Sequence, residues 1–299
     1  VNSKDWQLFY YPWDGVSKGF VDFFIRDFPT TRRFNKMGLN RLLFLLLFSI
    51  TAFCIEENFL LIDGKSSEVI LERGDIDQRM SPCSTFKIPL GLMGYETGIL
   101  KDEMHPILDF HEGYDDWLPS WKTSHSPLSW MKHSCVWYSK NLSLKLGLTT
   151  IQNYLASFTY GNQSIATLVE PGPLDPAWIN SSLEISAKEQ VHFLQKMLAK
   201  TLPISDHALG MTKALTFKEE LGDGWKLFGK TGYSNSINTP DGLYELGWFI
   251  GWIEKGDQIY IFAYNIQDIK VFLAQKVINI KELVLNAEKI QKSPLFVPT

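Results

Sequence analysis

Met80-Ser81-Pro82-Cys83-Ser84-Thr85-Phe86-Lys87 places a hydroxyl and an amine three residues apart, and so on one face of any helix that begins here. The Met80-Ser81-Pro82 lead-in suits such a beginning. A serine in the first turn of a helix meets free N–H groups and the positive end of the dipole. The lysine can act as a base only when uncharged. Its ordinary pKa of about 10.4 makes that form rare in water, and a buried apolar setting favours it. By itself the spacing is weak evidence, because Ser129-Trp130-Met131-Lys132 repeats it and a surface serine beside a solvated lysine is the ordinary outcome.

Upstream, residues 58–73 alternate loosely around Asp63-Gly64, with Phe59-Leu60-Leu61-Ile62 before and Val69-Ile70-Leu71 after, which predicts a β-hairpin. Downstream the chain reads as helical. Thr149 and Thr150 open a segment over 151–158. Ser186-Ala187-Lys188-Glu189 forms a capping box ahead of Val191, Leu194 and Leu198, with Pro203 as the stop. Strand character returns over 225–228, 246–253 and 258–264, with Lys255-Gly256-Asp257 as a turn, and Val277, Ile280, Val284 and Ala287 give 271–290 helical spacing. Strands at both ends with helices between them imply a sheet built from distant parts of the chain. The fold class is α/β of the α+β type: a mainly antiparallel sheet flanked by helices, with a helical lobe over about 84–203 inserted in it. A ligand is expected in the cleft between the two lobes.

Composition bounds the rest. At 45% hydrophobic and 21% charged residues the 299-residue chain is an ordinary globular protein rather than a disordered or disulfide-dense one. Ten of its 41 aromatic residues crowd into the first 36 positions, after which Met37, Asn40-Arg41, an apolar run over 42–50 and Ala52-Phe53-Cys54 read as a complete secretory leader. That apolar run is too short for a membrane span, which takes roughly 20 residues. The expected organisation is therefore an upstream extension over 1–36, a leader over 37–54 and a catalytic domain over 55–299, exported to the periplasm without a stable membrane anchor. Of 29 basic and 33 acidic residues, six and four precede Met37 and Arg41 lies in the leader, so the domain keeps 22 against 29. A net charge of −7 leaves no electrostatic footprint for a phosphate backbone, and nucleic acid is excluded. The six histidines show no metal-ligand spacing, so no metal is expected. Cys83 and Cys135 remain in the domain, open to reading as buried thiols or as one disulfide.

The companions of Ser84 and Lys87 supply the specificity that the pair lacks. Ser134-Cys135-Val136 follows, then Tyr160-Gly161-Asn162, then Ala177-Trp178-Ile179 running to Leu183-Glu184-Ile185-Ser186, and finally Lys230-Thr231-Gly232 after the strand-like 225–228. In this order they resemble the active-site serine penicillin-recognising enzymes, with S-x-x-K, a second S-x-N or variant, and K-T-G. Valine at 136 in place of asparagine, together with the Y-G-N motif at Tyr160, narrows the resemblance to the class D β-lactamases. It covers residues 58–290, nearly all of the expected domain.

That resemblance implies the roles of the site residues and a serine β-lactamase fold. Ser84 would open the β-lactam amide and become acylated. Lys87 would carry a carbamate formed from carbon dioxide, the general base for both acylation and deacylation, and this is the only cofactor implied. Val136 would keep the amine neutral and Trp178 would donate its indole N–H to the carbamate. Ser134 would pass a proton to the lactam nitrogen with the charge of Lys230 beside it. Thr231 would bind the substrate carboxylate, Gly232 would let the backbone approach, and the N–H groups of Ser84 and Tyr233 would form the oxyanion hole. Tyr160 reads as structural. Where many relatives place a carboxylate-binding arginine, Ala274-Gln275-Lys276 has none, which leaves Lys276, Lys270 or Thr231 for that task. The expected partner is a small β-lactam molecule, bound by a monomer or homodimer. The alternatives are a D,D-peptidase or a β-lactam sensor domain, in which the acyl adduct persists. The loops over 111–126, 163–176 and 234–244 are expected to shape the pocket.

Overall fold

Six antiparallel strands make one sheet: β1 (Glu56–Asp63), β2 (Val69–Arg73), β3 (Phe217–Glu220), β4 (Lys226–Thr239), β5 (Gly242–Lys255) and β6 (Gln258–Asp268), in the order β2-β1-β6-β5-β4-β3. The computed structural model describes residues 56–268 except 173, 181, 240 and 241, together with 280, 281 and 284. The expected extension over 1–36, the leader over 37–54, Lys270 and Ala274-Gln275-Lys276 lie outside the described residues.

The predicted hairpin is β1 and β2, its turn held by the Asp63 carboxylate, which accepts the N–H groups of Lys65 and Ser66 at 2.9 and 2.8 Å. β1 then pairs with β6 from Glu56↔Gln267 to Asp63↔Tyr260, which closes the sheet across the inserted helices. Successive side chains of a strand face opposite ways, and both faces are covered here. Leu60, Ile62, Trp248, Ile250, Trp252, Ile261 and Ala263 enter the larger core with the helices; Phe59, Leu61, Phe249, Ile253, Phe262 and Tyr264 enter a second core with Ile280 and Val284. Residues 280, 281 and 284 are helical, in line with the expected closing helix; the rest of it lies outside the described residues. Double-sided burial also explains why 248–253 reads as a nearly continuous apolar run rather than an alternating one.

The helical lobe comprises α1 (Lys87–Glu96), α2 (Pro127–His133), α3 (Val136–Leu146), α4 (Leu148–Phe158), α5 (Ala177–Asn180), α6 (Ala187–Leu198) and α7 (Asp206–Thr216). Two expectations about its extent need correction. The lobe continues through α7 to Thr216 instead of closing near 203. Pro203 does not stop α6, which ends at Leu198 with the Ala199 N–H on the Gln195 and Met197 carbonyls and Lys200 in the left-handed region at φ 58°. The capping box at Ser186 and Glu189 forms as predicted. The segment over 234–244 is not a loop: β4 and β5 pair on to Thr239↔Gly242, so Lys230-Thr231-Gly232 sits inside a strand rather than at its end. Among the described residues no helix is long and apolar enough to cross a membrane.

Candidate active site

The two S-x-x-K matches part company in three dimensions. Ser129 is spent on a capping box, accepting the Ser126 N–H at 2.9 Å, and Lys132 is exposed. Cys83–Phe86 instead forms a 3-10 turn that runs into α1, so Ser84 stands half-buried at the helix start with Lys87 in the first position of the α-helix. Lys87 Nζ lies 3.3 Å from Ser84 Oγ. Lys87 is 1% exposed, and that burial lowers its pKa to about 8. At pH 7 a lysine of that pKa has about a tenth of its amine uncharged, against about one part in three thousand for a free lysine.

Three elements close around this pair. α2 ends at Ser134, whose φ of 58° turns the chain directly into α3, and Val136 opens α3 fully buried. β4 brings Lys230, whose Nζ donates to Ser134 Oγ at 3.0 Å and to the Thr231 carbonyl at 2.8 Å. α5 brings Trp178, buried and stacked on Phe86 with ring centroids 5.2 Å apart. Gly232 permits the approach of β4. A Cβ there would lie 3.0 Å from the Pro82 carbonyl oxygen, 3.1 Å from Cys83 Cβ and 3.3 Å from the Ser84 nitrogen, closer than side chains normally sit. Thr231 is half-buried, and Tyr233 is exposed on the same strand, its phenol pushed up to about 12 by burial and by Glu245. Ser84, Lys87, Ser134, Val136, Trp178 and the Lys230–Tyr233 run thus stand on four adjoining segments.

The electrostatics depart from expectation at Lys230. Burial, then the neighbouring Lys218 and Lys87, lower it well below the ordinary lysine value, so the protein by itself disfavours the ammonium form. A nearby carboxylate acts in the opposite direction and favours the ammonium form. Cys83 and Cys135 are both free and buried, which settles the open choice in favour of thiols, and burial pushes each up to about 12.

Tyr160 is structural, as expected: buried edge-on against Phe193 at 5.0 Å, in a network where Gln190 Nε2 donates to Thr85 Oγ1 at 2.9 Å. Its neighbours explain the rest of the motif. Gly161, at φ 54°, passes so close to the Glu184 carbonyl that a Cβ would lie 2.0 Å from it, and Asn162 Nδ2 donates to the Ser182 carbonyl at 2.8 Å. Y-G-N therefore fixes the strand of chain between Trp178 and Ser186. Sequence reasoning missed the second anchor of this region. Lys140 of α3 is fully buried and donates to Asp115 Oδ1 at 2.8 Å and to the carbonyls of Gly172 and Leu174 at 2.8 and 2.7 Å. Of the loops expected to shape the pocket, 111–126 abuts the second motif, since Trp121 Nε1 donates to the carbonyl of His133 at 2.9 Å and exposed Trp117 packs on Trp121.

Comparison with known proteins agrees with this geometry. Residues 59–284 match the penicillin binding protein transpeptidase domain family. β-Lactamase OXA-9 of Klebsiella pneumoniae is 34% identical over 211 residues, 68% of this chain and 76% of that protein. β-Lactamase OXA-1 of Escherichia coli is 34% identical over 209 residues, 69% of this chain and 74% of that protein. The solved structure of the OXA-427 class D β-lactamase superimposes with a TM-score of 0.70 at 36% identity, over 78% of this chain and 99% of that one. FUS-1 (OXA-85) from Fusobacterium nucleatum subsp. polymorphum does so with 0.69 at 29% identity, over 84% and 98%. With its four motif segments gathered around one buried lysine, and with relatives of this identity and coverage, the chain belongs to the class D β-lactamases.

Proposed function

We propose that this chain hydrolyses the β-lactam amide of penicillin-type antibiotics through a Ser84 acyl-enzyme, with Lys87 carboxylated by carbon dioxide, and that export through the 37–54 leader to the periplasm makes it a resistance enzyme. The observation that carries the reading is a buried lysine, lowered to about 8, with its amine 3.3 Å from the Ser84 hydroxyl. Only the uncharged amine reacts with carbon dioxide, and the burial of Lys87 favours that form. A carbamate on Lys87, held there with the Trp178 indole N–H as donor, would supply the general base of the site.

The remaining roles belong to the chain's own groups. Ser84 Oγ attacks the lactam carbonyl carbon and gives its proton to the basic Lys87 side chain beside it. The developing oxyanion accepts N–H bonds from Ser84 and Tyr233, a pairing supported by the close approach of Gly232 to the Ser84 nitrogen. When the C–N bond breaks, Ser134 Oγ gives its proton to the departing nitrogen, and Lys230, 3.0 Å from that oxygen, makes the transfer easier. Thr231 holds the substrate carboxylate, whose charge favours the ammonium form of Lys230. Water then attacks the acyl carbon and gives a proton to the same Lys87 side chain, which returns it to Ser84 Oγ as that oxygen leaves. In a D,D-peptidase or sensor the acyl adduct would persist. Val136, buried where a D,D-peptidase would carry a polar asparagine, favours release.

The test is turnover of a chromogenic cephalosporin by the full chain in degassed buffer and with added bicarbonate. Steady turnover that rises with bicarbonate is expected. A stoichiometric burst with nothing after it would overturn the hydrolase reading, and turnover indifferent to bicarbonate would overturn the carbamate.

A further inference from the structure

Ser81 precedes the nucleophile by three residues and belongs to none of the motifs, yet three elements meet at it. Its hydroxyl lies 2.8 Å from the carbonyl of Trp178 and 2.6 Å from that of Ile179. Its own carbonyl accepts the indole N–H of Trp248 from β5 at 2.9 Å. Its neighbour Met80 exchanges both backbone hydrogen bonds with Ile185, at 3.0 and 2.8 Å. The side chain is buried, so its one proton is shared between two carbonyls without competition from water. α5 is a single turn of four residues, too short to hold its own orientation. Its downstream chain is held by Asn162 and the Met80–Ile185 bridge, and its upstream chain by Lys140 at Gly172 and Leu174. At Trp178 itself, Ser81 supplies the tie to the segment that carries Ser84 and Lys87.

We infer that Ser81 is a positioning residue: by clamping the Trp178 and Ile179 carbonyls to the nucleophile segment it fixes the Trp178 ring over Phe86, and so sets how tightly carbon dioxide is retained on Lys87. The inference rests on the carbamate reading of Lys87 given above. It separates affinity for carbon dioxide from the chemistry that follows. Loss of the clamp leaves Ser84, Lys87, Ser134 and Lys230 untouched and slackens only the group expected to donate to the carbamate.

The experiment measures, in the full chain, the bicarbonate concentration that gives half-maximal turnover and the carbamate resonance after loading with carbon-13 bicarbonate. Ser81→Ala should raise the half-maximal concentration about fivefold, the factor for one ordinary hydrogen bond, with turnover at saturating bicarbonate close to the parent's. Should Ser81→Ala not fold, the isosteric pair Ser81→Thr and Ser81→Val carries the same comparison, with threonine expected near the parent and valine shifted. An unchanged half-maximal concentration and carbamate signal in the folded hydroxyl-free variant would overturn the role of Ser81 and leave the carbamate reading intact. A parent protein with neither bicarbonate dependence nor a carbamate resonance would overturn both.

Discussion

Replacing Lys87 by methionine should abolish turnover and at the same time make the protein more stable. The amine is 1% exposed, and burial brings it from the ordinary 10.5 to about 8. At pH 7 nearly every unfolded chain carries a charged lysine that the folded protein must strip of water. A fall of that size corresponds to about 3 kcal/mol of lost stability. Methionine keeps the length and volume of the stem without the charge. The hydrogen bond to Ser84 at 3.3 Å goes with the amine and offsets about 1 kcal/mol of the gain. A net gain of about 2 kcal/mol should raise Tm by about 4–8 °C for a domain of this size.

The pH dependence carries the sign. A lysine lowered in the folded state binds fewer protons there than in the unfolded chain between pH 8 and 10.5, so the parent gains stability as pH rises through that window. The gap between Lys87→Met and the parent should be constant below pH 8 and close towards pH 10.5. The assay is thermal unfolding in degassed buffer at pH 7, 9 and 10.5, repeated with bicarbonate at pH 8. Bicarbonate should raise the Tm of the parent alone, because a ligand of the folded state stabilises by mass action. A variant no more stable than the parent at pH 7 in degassed buffer would refute the claim that Lys87 holds its low pKa through desolvation.

Gly232→Ala should fold and lose about two to three orders of magnitude in kcat, because its Cβ would push β4 away from the Ser84 nitrogen and misplace a backbone donor; a kcat within threefold of the parent would show that the contact is not needed. Cys83 and Cys135 should both be alkylated in the denatured, unreduced protein and neither in the native one at pH 7, since burial holds each thiol near 12. Peptide mapping that recovers a Cys83–Cys135 crosslink would contradict the free-thiol site.

How much of this was legible beforehand follows from the range of each interaction. The hairpin, the capping box at Ser186 and the motif residues depend on spacings of a few positions, and the sequence displays them. β4 was cut short because Gly229, Gly232, Ser234 and Asn235 are poor strand formers taken alone. Pairing with β5 along the whole strand overrides that preference. α7 was missed because Gly210 and two threonines dilute its pattern, although the Ser205 cap that accepts the Ala208 N–H was there to be seen. Ser81 and Lys140 gave no local signal at all. Their partners lie 97 and 25 or more residues away, and a lysine in mid-helix is ordinarily solvated.

The two S-x-x-K matches show why chemistry cannot be assigned from spacing. Ser129 and Lys132 sit on a short helix where the lysine is exposed to water and the serine is used as part of the cap. Ser84 and Lys87 have the same separation, but Gly232 lets β4 close over one side, Val136 lines α3 nearby, and Ser81 ties Trp178 to the nucleophile segment. These contacts bridge from about 50 to 150 positions of sequence, and together they exclude the water that would otherwise hold the lysine charged. The base at this site is thus a property of the sheet and of α5 as much as of Lys87. Substitutions at Gly232 or Val136 that readmit water should silence the enzyme while leaving Ser84 and Lys87 in place.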